Sequence, residues 1–281
     1  MSIDTIEPEK YDKCVTMMRT FFKVKGFIEV HTQTRVSILS ACKDPTTIST
    51  YQYAGQVWPL PQTSQMCLEY EMLKYPKKAP GYFCLCTSYR NEPNQIEGRS
   101  ENIFPIFEFE LKGGLDELIL LERDLIDFMG FRTKQKDSKY PEDTYKNIAE
   151  KYGVKELEHT HETRLEQDYG NVFFLKNFPN YTSPFWNIQQ TDDGTAKKID
   201  VIIHGVETIS SAELSDNPTK MRIQFDSIMD GAYANILYRT FTKERVEYEL
   251  QDFLSNTFIK RSCGSIGVNR MIRAMELSNL F

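Results

Sequence analysis

The chain has 281 residues, 40% of them hydrophobic and 12% aromatic, with a net charge of −6. That balance supports a packed core and excludes an intrinsically disordered chain. No apolar run is long enough to cross a bilayer, and Met1-Ser2-Ile3-Asp4-Thr5 lacks the basic-then-apolar pattern of a secretory signal, so a cytoplasmic protein with no membrane partner is expected. The acidic balance argues against a broad nucleic-acid surface, which needs many Lys and Arg contacts to phosphate. The six cysteines, Cys14, Cys42, Cys67, Cys84, Cys86 and Cys263, are scattered and read as reduced core thiols. Cys84-Leu85-Cys86 lacks the spacing of a usual zinc knuckle, although strand alternation puts both sulfurs on one face.

In chain order, residues 8–24 read as an amphipathic helix with Pro8 in its first turn and Tyr11, Val15, Met18 and Phe22 on one stripe. Gly26 stops it, and residues 27–32 alternate as a strand. Residues 40–60 read as loop with a short strand, and 64–74 as a helix. Tyr82 to Cys86 and Ile103 to Glu110 are strands, the second with Glu108 and Glu110 on one face. Residues 115–130 form a helix. The charged stretch 132–168 reads as a helical insertion. Residues 172–175 and 199–203 are strands, 219–255 is mostly helical, and Ser265 to Arg270 leads into a last helix ending near residue 277. Short polar loops between neighbouring strands favour an antiparallel sheet flanked by helices, an α+β fold, over residues 1–281 as a single domain.

Three segments carry chemistry. In the first, Arg90, Glu92 and Arg99 hang on a strand–loop–strand hairpin with Phe104 behind them. Permanently charged, forked guanidiniums suit phosphates, a carboxylate accepts from an amine and an aromatic ring lies against a flat base, so the set suits a nucleoside triphosphate. The second is Asp200 in an apolar strand, followed by Glu207 and Ser210. A buried carboxylate needs a partner, and carboxylate and hydroxyl oxygens are the donors that Mg²⁺ takes, while a strand-end acid paired with a Lys is the simpler arrangement. The third is the glycine-spaced turn from Gly264 to Arg270, unspecific by itself.

Taken together, order and spacing resemble the catalytic core of the class II aminoacyl-tRNA synthetases, in the subgroup handling aspartate, asparagine and lysine. Phe22 to Thr34 looks like the dimer-forming first motif, Tyr89-Arg90-Asn91-Glu92 through Glu108 like the second, and Ser265 to Arg270 like the third. Residues 178–185 and 199–207 are similar to the same subgroup. The resemblance implies Arg90 on the α-phosphate, Arg99 and Arg270 on the β- and γ-phosphates, Arg270 and Phe104 on either side of adenine, and Glu92 facing the adenine amine. It implies Mg²⁺ on Asp200, Glu207 and Ser210, with ATP as substrate. Arg90 and Arg270 are the expected catalytic residues. Gln33 departs from a proline of the first motif, and Cys263 and Ser265 from glycines of the third.

For the amino acid, the resemblance implies Gln65, Glu69, Glu213 and Asp44. Aspartate-specific relatives place a lysine near position 68 and an arginine near 214; here these are Leu68 and Leu214. Segment 64–69 looks asparagine-type and 213–218 lysine-type, so the expected substrate side chain is an amide or basic.

The resulting expectation is a ligase that uses ATP and Mg²⁺ to form an aminoacyl adenylate. The acyl group would pass to an acceptor other than, or in addition to, tRNA, such as a protein. A homodimer through residues 20–35 is expected, with Phe21, Phe22, Phe27 and Val30 at its surface. The chain looks like a free-standing paralog without the anticodon-binding barrel. Alternatives are an ammonia-dependent asparagine synthetase-like enzyme and a non-catalytic regulator that binds nucleotide or tRNA.

Overall fold

The structure is a computed structural model, and its description covers residues 5–33, 35–39, 47–93, 101–131, 140–182 and 185–281. Asp44, Arg99 and Cys42, with Thr34 at the end of the first motif and residues 183–184, lie outside the described residues.

An eight-stranded sheet organises the fold. Its strands are β1 (Ile28–Glu29), β4 (Gly81–Tyr89), β5 (Ile103–Lys112), β10 (Arg261–Gly267), β9 (Val206–Leu214), β8 (Thr195–Ile203), β7 (Val172–Pro179) and β6 (Glu142–Thr144), in that spatial order. The six central strands pair antiparallel, and the short edge strands β1 and β6 pair parallel. A separate hairpin joins β2 (Thr50–Tyr53) to β3 (Gln56–Pro59).

Helices α1 (Pro8–Val24), α3 (Leu115–Phe128) and α9 (Val268–Leu277) cover one face of the sheet. Their apolar stripes meet Phe83, Phe107, Phe109, Ile199, Val201 and Ile266 in the largest core. Gly264 belongs to this face: a Cβ there would come within 2.3 Å of the Phe109 ring, so only glycine lets that ring lie against β10. Phe21, Phe22 and Phe27 are buried in the same core, which removes them from the surface expected to form a dimer; the exposed apolar side chains there are Val24 and Ile28.

Among the described residues, helices cover the opposite face at its ends. Helix α2 (Gln65–Lys74) lies over β4 and β5, packing Leu68 and Met72 on Tyr82 and Cys84. It also joins α6 (Pro218–Ser227), α7 (Ala232–Phe241) and α8 (Lys243–Leu254) in a second core around Trp186. Helix α2 begins after Ser64 with no side-chain cap. Helix α6 starts with Asn217 accepting from the Lys220 amide and with Pro218 in its first turn.

At the other end, α4 (Tyr145–Tyr152) and α5 (His159–Tyr169) pack on Phe173, Leu175 and Ile202. Strand β7 and the end of β8 are thus covered on both faces, which is why they read as continuous apolar runs. The stretch expected as a helical insertion also supplies strand β6, and residues 132–139 of it lie outside the described residues. Strand β9 and the first half of β10 carry no expectation from local pattern. Strand β9 follows β8 through His204 and Gly205, both at positive φ (48° and 68°), the backbone a tight hairpin turn requires. Among the described residues, no helix is long and apolar enough to cross a membrane.

Candidate active site

Between the covered ends, the second face of the sheet carries polar side chains where a core would carry apolar ones. Directly paired residues of antiparallel strands share a face, so the register alone defines the rows. One row runs Cys84, Glu108, Ser265, Ser210 and Asp200 across β4, β5, β10, β9 and β8. The next runs Tyr82, Glu110, Cys263, Ala212 and Lys198. Arg261 stands opposite Leu214 one step further along.

Glu108 is fully buried and well hydrogen-bonded. It accepts from the Thr63 hydroxyl, from the Ser64 amide (2.6 Å), from the Ser265 hydroxyl (3.1 Å) and from the Cys86 thiol (3.3 Å). Burial still pushes its carboxyl above the usual range, against those donors. From the start of α2, the Gln65 amide donates to the Gly264 carbonyl (2.8 Å) and the Ser265 hydroxyl (3.2 Å). Its own Oε1 is buried and accepts no hydrogen bond among the described residues.

Glu69, one turn further along α2, is buried rather than solvated. The Arg261 guanidinium donates to its Oε1 and the Asn187 amide to its Oε2 (3.0 Å). Arg261 also donates to the Ser215 carbonyl (3.1 Å), and its Nε lies 3.5 Å from Glu110. Neither Glu110 oxygen accepts a hydrogen bond among the described residues, and burial, with Glu69 close by, pushes that carboxyl well up. Arg261 therefore places beside Glu69 a cation that Leu68 and Leu214 do not supply. Comparison of positions 68 and 214 alone overlooks it, because it lies on β10 and not on α2 or β9. Counting back from Ser265 in steps of two puts it on the same face.

On β8, Lys198 Nζ donates to both oxygens of Asp200 (2.6 and 2.5 Å), and the Ser210 hydroxyl donates to one of them (2.7 Å). Burial pushes the Asp200 carboxyl up to about 6, opposed by Lys198, with Glu207 adding to the rise. Hard oxygen donors with an ammonium already seated on them fit Mg²⁺, provided Lys198 moves aside.

The residues expected to meet a nucleotide form two groups among the described residues. Arg90 lies over the Phe104 ring (5.2 Å) and pairs with Glu92 (3.3 Å). Arg270 donates to the Glu207 carbonyl (2.7 Å) and lies 3.7 Å from its carboxylate. Arg90, Glu92, Phe104, Arg270, Glu207, Asp200, Ser210, Gln65 and Glu69 are all placed by the sheet's second face or its rim. Glu213 is not. It alternates to the helix-covered face, where it accepts from the Leu115 amide (2.9 Å) at the start of α3 and pairs with Lys197 (2.9 Å). Its expected place in the amino-acid pocket is corrected accordingly.

The family of tRNA synthetases class II (D, K and N) matches residues 9–275. Among solved structures, the chain is similar to asparaginyl-tRNA synthetase from Pyrococcus horikoshii complexed with asparaginyl-adenylate (TM-score 0.76, 15% identity, covering 95% of this chain and 64% of that one). It is also similar to asparaginyl-tRNA synthetase from Entamoeba histolytica in complex with asparaginyl-adenylate (0.73, 16%, 95% and 63%). A putative aspartyl-tRNA synthetase from Leishmania major Friedlin is comparable (0.74, 14%, 95% and 61%). The chain thus spans less than two thirds of each of these structures. No curated relative matches it. Family match and fold agree: the chain belongs to the class II tRNA synthetases of the D, K and N type.

Proposed function

We propose that this chain uses ATP and Mg²⁺ to activate an amino acid with a neutral amide side chain as its adenylate. The observation that carries the side-chain reading is the buried Glu69–Arg261 pair beside Gln65. An amide offers a carbonyl to the guanidinium and an NH₂ to the carboxylate; Asn187 already makes the second contact. An acidic side chain would meet Glu69, and a basic one would meet Arg261. One charge-assisted hydrogen bond contributes about 1.5–3 kcal/mol, which separates these ligands by roughly ten- to a hundredfold.

The substrate carboxylate attacks the α-phosphorus. A bond forms from that oxygen to phosphorus, the bond to the β-phosphate oxygen breaks, and pyrophosphate leaves. Arg90 and Arg270 would neutralise the charge that develops on the phosphates, and Gln65 Oε1 would accept from the substrate amine. Asp200, Glu207 and Ser210 would hold Mg²⁺, which supplies charge neutralisation on the phosphate oxygens when bound. The net charge of −6 supports an acceptor other than, or in addition to, tRNA.

Amino-acid-dependent exchange of pyrophosphate into ATP, run against all common amino acids, tests the reading. Asparagine or glutamine is expected to exceed aspartate and lysine at least ~tenfold. Exchange with none of them would overturn activation; lysine or aspartate as the best substrate would overturn the side-chain reading alone.

A further inference from the structure

We propose that Cys84, Cys86 and Glu108 form a binding site for a thiophilic divalent cation, Zn²⁺ by its chemistry. Strand β4 places both sulfurs on the polar face, and β5 sets Glu108 directly across from Cys84. One donor atom from each of the three residues lies within 4.8 Å of the others. Tetrahedral zinc with sulfur at about 2.3 Å separates its donors by ~3.8 Å, so small side-chain rotations close the set. Two sulfurs and one carboxylate select a soft or borderline ion over Mg²⁺.

The surroundings favour this use. Leu68, Met72 and Tyr82 pack against Cys84 and keep the sulfurs in an apolar setting. The Cys86 thiol points its proton at Glu108 Oε2, so the lone pair that would meet the cation already faces the sulfur. The Ser64 amide takes the other lone pair of that oxygen, and the Thr63 and Ser265 hydroxyls hold Oε1, so the carboxylate is oriented by groups outside the metal set. Binding releases the two thiol protons to solvent and leaves two thiolates and a carboxylate on the cation. The Ser64 hydroxyl is itself held by Thr32, from which it accepts (3.0 Å). The site does not depend on the proposed activation reaction, and its test does not read activity.

The experiment is titration of the chelator-treated full chain with Co²⁺, followed by displacement with Zn²⁺. Saturation at a single equivalent of Co²⁺ is expected, with thiolate-to-cobalt absorption in the near ultraviolet that Zn²⁺ abolishes. Cys84→Ser and Cys86→Ser should each weaken binding at least ~tenfold, while Cys14→Ser, on the other side of the sheet, should not. Because a strand variant can misfold, the wild-type chain is also melted with Zn²⁺ and with chelator, and a higher Tm with Zn²⁺ is expected. Absence of both the absorption and the Tm shift in the wild type would overturn the proposal, as would unchanged cobalt absorption in both serine variants.

Discussion

Arg261 stands directly across the β9–β10 ladder from Leu214, and its guanidinium closes on Glu69 of α2. Removing that guanidinium would leave Glu69 and Glu110 buried without the cation they share. Arg261→Met is therefore expected to cost about 3–5 kcal/mol, and Arg261→Met combined with Glu69→Leu to recover much of it. Urea denaturation of the three proteins checks this; a single variant within ~1 kcal/mol of wild type would refute the role assigned to the pair.

Arg90 and Arg270 are partly exposed and hold little of the core together. Alanine at either position should lower pyrophosphate exchange by a factor of about 10²–10³, with Tm nearly unchanged. An exchange rate equal to wild type in Arg90→Ala would remove it from the site.

Glu122 of α3 is fully buried with Ser211 as its hydrogen-bond donor, and burial pushes its carboxyl up to about 8. The folded state then binds a proton that the unfolded state releases near 4.5. This contribution is fully present below about pH 4.5 and is lost as pH rises through 8. Glu122→Gln, which mimics the protonated form, should match wild type at about pH 4 and exceed it at about pH 9 by on the order of 2–4 kcal/mol. Equal stability of the two proteins in urea at the higher pH would contradict the assignment.

Val24 and Ile28 are 77% and 41% exposed at the corner between α1 and β1. That apolar corner supports a homodimer, and light scattering at micromolar concentration should give twice the chain mass. Val24→Lys with Ile28→Lys should give monomers. A wild-type monomer under the same conditions excludes this interface.

Local pattern was enough for much of the fold. The stripe of α1, the alternation of β5 and the apolar runs of β7 and β8 are properties of neighbours in sequence, and the structure keeps them. Arg90, Glu92 and Phe104 sit on one hairpin, so their proximity is local, whereas Arg270 of α9 meets Glu207 of β9 only through the fold. What tertiary structure decided was register and face. Leu214 and Arg261 are far apart in sequence and meet only because β10 inserts between β5 and β9. Glu213 and Leu214 are adjacent, yet the two-residue period of a strand sends them to opposite faces, one to cap α3 and the other toward the site. Glu69 is buried because α2 lies on the sheet, which its own helical pattern does not encode. Strand pairing is a non-local choice, and it is this choice that brought Cys84, Cys86 and Glu108 together.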